Sequence, residues 1–100
     1  MIIYNITLKA DHTVADEWVG WMKTTHMPEL LQTGLFTDYR LCKLLEHDDA
    51  EGTTFVVQYY CDSMEDYHNY MNTHAPGMRT KMLSKFGDKV VAFRTVMEVL

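Results

Sequence analysis

The tetrapeptide Thr-His-X-Pro occurs twice, as THMP at 25–28 and as THAP at 73–76, each time at the end of an amphipathic stretch. Proline removes a backbone donor and crowds the residues before it, so each copy marks an interrupted helix. Flanking matches extend the repeat. IIYNITL at 2–8 resembles FVVQYYC at 55–61 and sets Asn5 against Gln58; TVAD at 13–16 resembles SMED at 63–66; Tyr39-Arg40 resembles Phe93-Arg94. A chain of 100 residues that repeats once in the order strand, helix, strand has few ways to fold. A split βαβ arrangement with internal pseudo-symmetry is the foremost of them.

The elements follow from local signals. Residues 2–10 are β-branched and aromatic and read as a strand. Thr13 is placed to cap a helix, with Asp16 near its positive end, and that helix runs to about residue 25. Val14, Ala15, Trp18, Trp21, Met22 and His26 share one arc of it. Pro28 predicts one kinked helix or two short ones, stopped by Gly34. A second strand is expected over 36–46 and a third over 53–61, joined by the acidic turn DDAEG at 48–52. Ser63 with Asp66 starts the second helix, whose stripe is Met64, Tyr67 and Met71 with His68 on its edge. Ala75-Pro76-Gly77 interrupts it, Gly87 ends it, and a fourth strand is expected over 89–99. The whole is expected to be one domain, residues 1–100.

Alternation assigns the strand faces. Ile2, Tyr4, Ile6 and Leu8 go under the helices, as do Tyr39, Leu41 and Leu45; Phe55, Val57 and Tyr59; and Val91, Phe93, Met97 and Val99. Phe36, Asp38, Arg40, Cys42 and Leu44 are expected outward, with Val90, Ala92, Arg94, Val96 and Glu98. The outward face then carries Ile3, Val56, Tyr60, Ala92, Val96, Cys42 and Leu44, too much apolar surface to leave wet. A second sheet packed face to face would cover it, and two-fold symmetry would make that interface self-complementary. Asn5, Arg40, Gln58 and Arg94 are the expected polar residues of this homodimer interface. The expected fold is therefore α+β: a ferredoxin-like βαββαβ sandwich, a four-stranded antiparallel sheet with helices on one face, dimerising through the open face.

Composition excludes several classes of function. The net charge is −5, and phosphate binding needs a basic surface, so nucleic acid is not an expected partner. The densest cations, Arg79, Lys81, Lys85 and Lys89, are diluted by apolar residues and read as a solvated helix face. The opening MIIYN has neither a basic region nor a long apolar run, so no signal peptide, no membrane partner and a cytoplasmic location are expected. A hairpin closed at 48–52 sets Cys42 near Gln58 and away from Cys61, so both cysteines are expected as free thiols.

MIIYNIT at the start, ADEWVGWMKTTHMPELLQTGLFTDYR in the middle and FGDKVVAFRTVMEVL at the end resemble a bacterial domain family of unknown function and about this length. The βαββαβ order and half-apolar sheet face resemble the wider dimeric α/β-barrel superfamily, which includes antibiotic-biosynthesis-type and haem-degrading monooxygenases. The resemblance implies a ligand between helices and sheet, near Tyr4, Trp18, Trp21, Met22, His26, Tyr39, Tyr67, His68 and Phe93. The haem-degrading branch uses an Asn on strand one, a Trp, and a His on the second helical segment. Asn5 and His68 or His74 match in position; no Trp does.

Among these residues His26 borders the Trp18/Met22 stripe, where it could act as a general base or anchor a ligand. The repetition favours a second reading, in which both Thr-His-X-Pro segments are helix-ending devices whose imidazole meets loose carbonyls, a job a pseudo-symmetric fold needs twice. His12, His47 and His74 fall at turns or helix ends. His68 and His74 are not three or four apart, so no metal site is expected. Nor is there a nucleophile elbow, a P-loop or a glycine-rich nucleotide motif. Trp18, Trp21 and Met22 with the later methionines read first as core and second as an adaptable apolar cavity. No cofactor is expected. The function expected is a homodimer that binds a small apolar or aromatic ligand through Tyr4, Trp18, Trp21, Met22, Tyr67, His68 and Phe93. The alternatives are a cofactor-independent monooxygenase-like enzyme, with His26 and Tyr39 as catalytic groups, and a haem-handling protein.

Overall fold

A computed structural model describes residues 1–100. Strand β1 (Ile2–Ala10) leads into α1 (Ala15–Trp21), a π-helical turn (Met22–His26) and α2 (Met27–Gln32). Strands β2 (Asp38–Lys43) and β3 (Thr53–Cys61) form a hairpin. They are followed by α3 (Met64–Thr73), α4 (Ala75–Phe86), a 3-10 turn (Gly87–Lys89) and β4 (Val90–Glu98). The sheet order is β2-β3-β1-β4 and every neighbouring pair is antiparallel, with the helices packed on one face. The repeat-related strands β1 and β3 lie side by side at the centre, where Asn5 sits directly opposite Gln58. The hairpin register sets Cys42 opposite Val56, and both cysteines are free thiols, Cys42 exposed and Cys61 buried.

The two helical segments start differently. The Ser63 hydroxyl accepts from the Asp66 N–H at 3.2 Å, the N-cap its sequence predicts. Thr13 does not cap its helix. Its N–H and hydroxyl both donate to the Asp11 carboxylate, at 2.9 and 2.7 Å, and α1 begins two residues later without a side-chain cap. The aspartate two positions upstream offers the stronger local partner. Gly34 and Gly87, with φ of 79° and 60°, terminate the segments where few other residues could turn.

At Pro28 the expected two short helices are present as α1 and α2, joined by the π-helical turn with no non-helical residue between them. Proline has no N–H to give the carbonyl of Thr24, so the turn before it widens and Met27 donates to the carbonyl of Met22, five residues back. At Pro76 the α-helix is instead interrupted at the single residue His74, whose φ of −114° is stretched from the ideal helical value. The ladder resumes when Met78 donates to the His74 carbonyl at 3.1 Å.

The core is centred on Trp18, Tyr59, Leu8, Met22, Met27, Leu30, Val57 and Cys61, all fully buried. Each large apolar side chain among them contributes about 1.5–3 kcal/mol of transfer free energy. Strands β1 and β3 bury the faces their alternation predicts.

Two face assignments are corrected. Phe36, expected outward, is only 3% exposed and its ring lies 4.9 Å from that of Tyr70, whereas Leu45, expected inward, is exposed. The strand begins at Asp38 and ends at Lys43, so neither residue is bound by its alternation. The second correction inverts β4. Its register, Leu8 opposite Ala92 and Ile6 opposite Arg94, turns Val90, Ala92, Arg94, Val96 and Glu98 to the helix side. Val91 and Phe93, expected in the core, lie on the open face and are 67% and 63% exposed. Met97 shares that face, and Val99 lies beyond the strand, exposed. Both faces of this strand are apolar, so alternation alone does not choose between them; the pairing with β1 does.

Candidate functional site

A cavity of about 270 Å³ lies between the sheet and the helices. Tyr4, Ile6 and Leu8 of β1, Val57 and Tyr59 of β3, and Val90, Ala92 and Arg94 of β4 form its floor. Trp18, Met22, His26 and Leu30 come from the first helical segment, and Tyr70, Met78, Arg79, Met82 and Leu83 from the second, with Gly87 at the end. Of the 18 lining residues 14 are hydrophobic. The widened turn at 22–26 brings both of its ends, Met22 and His26, to this wall.

His26 is 5% exposed, stacked on Trp21 with ring centroids 4.5 Å apart, and its Nδ1 has no hydrogen-bond partner. Its imidazole therefore does not satisfy loose helix carbonyls through that nitrogen. Burial pulls its pKa down to about 4; Glu29 nearby acts upward and Lys81 downward. The ring is neutral at neutral pH. Lys81 and Glu29 form an ion pair at 2.6 Å that ties α4 to α2. The Trp18 indole nitrogen and the Tyr59 hydroxyl are likewise buried without partners, so three residues of one cavity wall carry an unmatched polar atom. Such atoms cost about 1–3 kcal/mol each when left unpaired. Burial also raises the Tyr59 and Tyr70 hydroxyls above their ordinary pKa, with the neighbouring tyrosines adding to it.

The sequence-predicted site residues are divided by the fold. Tyr4, Trp18, Met22 and His26 share the cavity wall. Trp21 stands behind His26, between it and Phe86, and Tyr67 packs on the far side of Tyr4 at 5.5 Å. His68 is exposed. Phe93 is on the opposite face of the sheet because β4 is inverted, and for the same reason Arg94 joins the cavity instead of the open face. Tyr39 pairs with Tyr59 on β2 and is not among the lining residues, so His26 and Tyr39 are not brought together around the cavity. Among the wall residues outside the predicted site, Tyr70, Arg79 and Leu83 come from the second helical segment, whose Met78 and Met82 read from the sequence first as core and second as cavity. Tyr70 lies three after Tyr67, a helical spacing that could have found it; no local signal marks Arg79.

On the open face Asn5, Gln58 and Arg40 lie in one cross-strand row. Gln58 donates to the Asn5 side-chain oxygen at 3.2 Å, Asn5 donates to the Thr95 hydroxyl at 3.3 Å, and the Tyr60 hydroxyl donates to Gln58 at 2.9 Å. No three His, Cys, Asp or Glu side chains converge to hold a metal, and no helix is long and apolar enough to cross a membrane.

This architecture, helices on one face of an antiparallel β2-β3-β1-β4 sheet, defines a ferredoxin-like α+β protein. The sequence is then decisive: residues 1–100 match the profile of the family described as a domain of unknown function, DUF4286, and the chain belongs to that family. No curated protein matches it in sequence. Among solved structures it is similar to a dimeric ferredoxin-like protein from an uncultured marine organism, at 9% identity and a TM-score of 0.72, covering 98% of this chain and 97% of that one. A Deinococcus radiodurans protein provisionally described as an antibiotic biosynthesis monooxygenase is 17% identical, with a TM-score of 0.70 over 100% of this chain and 93% of that one. An ethyl tert-butyl ether D (EthD) family protein from Bacillus halodurans is 14% identical, with a TM-score of 0.68 over the full length of both chains. Identities this low speak for the fold alone.

Proposed function

We propose that the chain is a homodimer that binds a small apolar or aromatic ligand between its helices and its sheet. The observation that carries this reading is the cavity itself, mostly hydrophobic yet walled by three residues with unpartnered buried polar atoms. A concave apolar site with a few polar groups is the usual form of a small-molecule pocket. Ile3, Val56, Tyr60, Val91, Phe93 and Met97 surround the amide row on the open face, a surface suited to a second copy. The dimeric ferredoxin-like relative supports the same arrangement.

A cofactor-independent oxygenase reading has less behind it. His26 is neutral and free to accept a proton, but an imidazole with a pKa of about 4 is a weak base. His68 as a haem ligand has no support, since it is exposed and outside the cavity. Native mass spectrometry on protein taken directly from its producing cells tests the proposal. A dimer with added mass below a few hundred daltons is expected; a monomer that no candidate compound shifts would sink it.

A further inference from the structure

We infer that the ligand of this cavity is an apolar carboxylate, its ring or short chain inside and its anionic end at the rim between Arg79 and Arg94. The inference rests on the reading of the cavity as a ligand site and adds a chemical class to it. Four lining residues are not hydrophobic: His26, Gly87 and these two arginines. The wall thus holds two cations and no carboxylate, in a chain whose net charge is −5.

Neither arginine is occupied elsewhere. The two ion pairs of the molecule use Lys81 with Glu29 and Lys85 with Glu17, so α4 spends its lysines on the first helical segment and leaves Arg79 unpaired. Arg94 faces the helix side from the edge strand β4, where its nearest same-face carboxylate, Glu98, is four residues along. Four residues of strand span about 13 Å, beyond an ion pair. Arg79 of α4 and Arg94 of β4 line the same cavity, one from the helical layer and one from the sheet. Two like charges facing one apolar cavity repel until an anion lies between them, and the guanidinium fork matches a carboxylate in two hydrogen bonds. Both arginines are exposed whereas Trp18, Met22 and His26 are buried, which sets the direction of the ligand: anion outward, apolar body inward.

The test is titration of the homogeneous protein, followed by tryptophan fluorescence, with benzoate, 2-naphthoate and octanoate, each against its neutral primary amide. At least one carboxylate is expected to bind about tenfold more tightly than its amide, the scale of a charge-assisted hydrogen bond. That advantage should shrink as sodium chloride is raised, because the arginines lie at the rim. It should also fall several-fold in Arg79→Gln and in Arg94→Gln, each first shown to melt as the parent does. Equal binding of acids and amides would overturn the anionic assignment while leaving the cavity as a ligand site. An acid preference untouched by either substitution would overturn the role of the arginines. Binding of neither series would remove the ligand-site reading and this inference with it.

Discussion

At Pro28 the helix widens and carries on, whereas at Pro76 it breaks and restarts, and the two histidines end in different surroundings. His26 is buried against Trp21 in the cavity wall; His74 is half-buried, stacked on Tyr70 at 6.2 Å, and outside that wall. The first segment supplies the cavity mainly from before its proline, through Trp18, Met22 and His26. The second supplies it mainly from after, through Met78, Arg79, Met82 and Leu83. A repeated tetrapeptide therefore disturbs the α-helix twice, in two different ways, with one site between the two copies. Local sequence sets the break; packing decides what each histidine becomes.

The largest expected effect separates the aromatic partners of the two turns. Tyr70 is buried among Tyr4, Phe36 and His74, so Tyr70→Ala is expected to cost about 3–5 kcal/mol in urea denaturation. Trp21 is only half-buried, and Trp21→Ala should cost about half as much. Equal losses would mean that the two turns are packed alike after all.

Next comes pH. In the unfolded chain His26 titrates near 6.5, in the folded one near 4, so unfolding takes up a proton between those values. Its contribution to stability is full above about pH 6.5 and is lost as the pH falls toward 4, by up to about 3 kcal/mol. Denaturation midpoints measured across that window should show the loss in the parent and in His74→Leu, and lack it in His26→Leu. A loss that persists without His26 assigns the acid sensitivity elsewhere.

The smallest effect concerns how each segment starts. Ser63→Ala removes a side-chain cap and should cost about 1 kcal/mol. Thr13→Ala keeps the Asp11 contact to the backbone N–H of residue 13 and should cost less. A reversal of that order in thermal melts would make Thr13 the more important of the two.

The repeat and the strand alternation made the βαββαβ order legible, together with the buried faces of β1 and β3. Legibility failed where two choices are nearly equal in free energy. Strand β4 offers Val91, Phe93 and Met97 on one face and Val90, Ala92 and Val96 on the other, and only its pairing with β1 breaks the tie. Because Phe93 and Arg94 exchange faces with it, the site moved by the same slip. Half of the cavity was visible as the Trp18, Met22 and His26 arc. The other half, on α4, depends on how that helix crosses the sheet, which no spacing within residues 75–86 encodes.

Arg94 also has a consequence for the chain before anything covers it. Strand β4 is an edge, nine residues long, and reads VVAFRTVME. Such an edge offers unpaired backbone groups to other chains, and β-branched and aromatic runs with little charge are the ones that stack into fibrils. Arg94 is the single charge within VVAFRTVM, where a gatekeeper is most effective. Replacing it with an apolar residue would join two short adhesive stretches into one, so its position guards the colloidal state of the protein as well as the rim of its cavity.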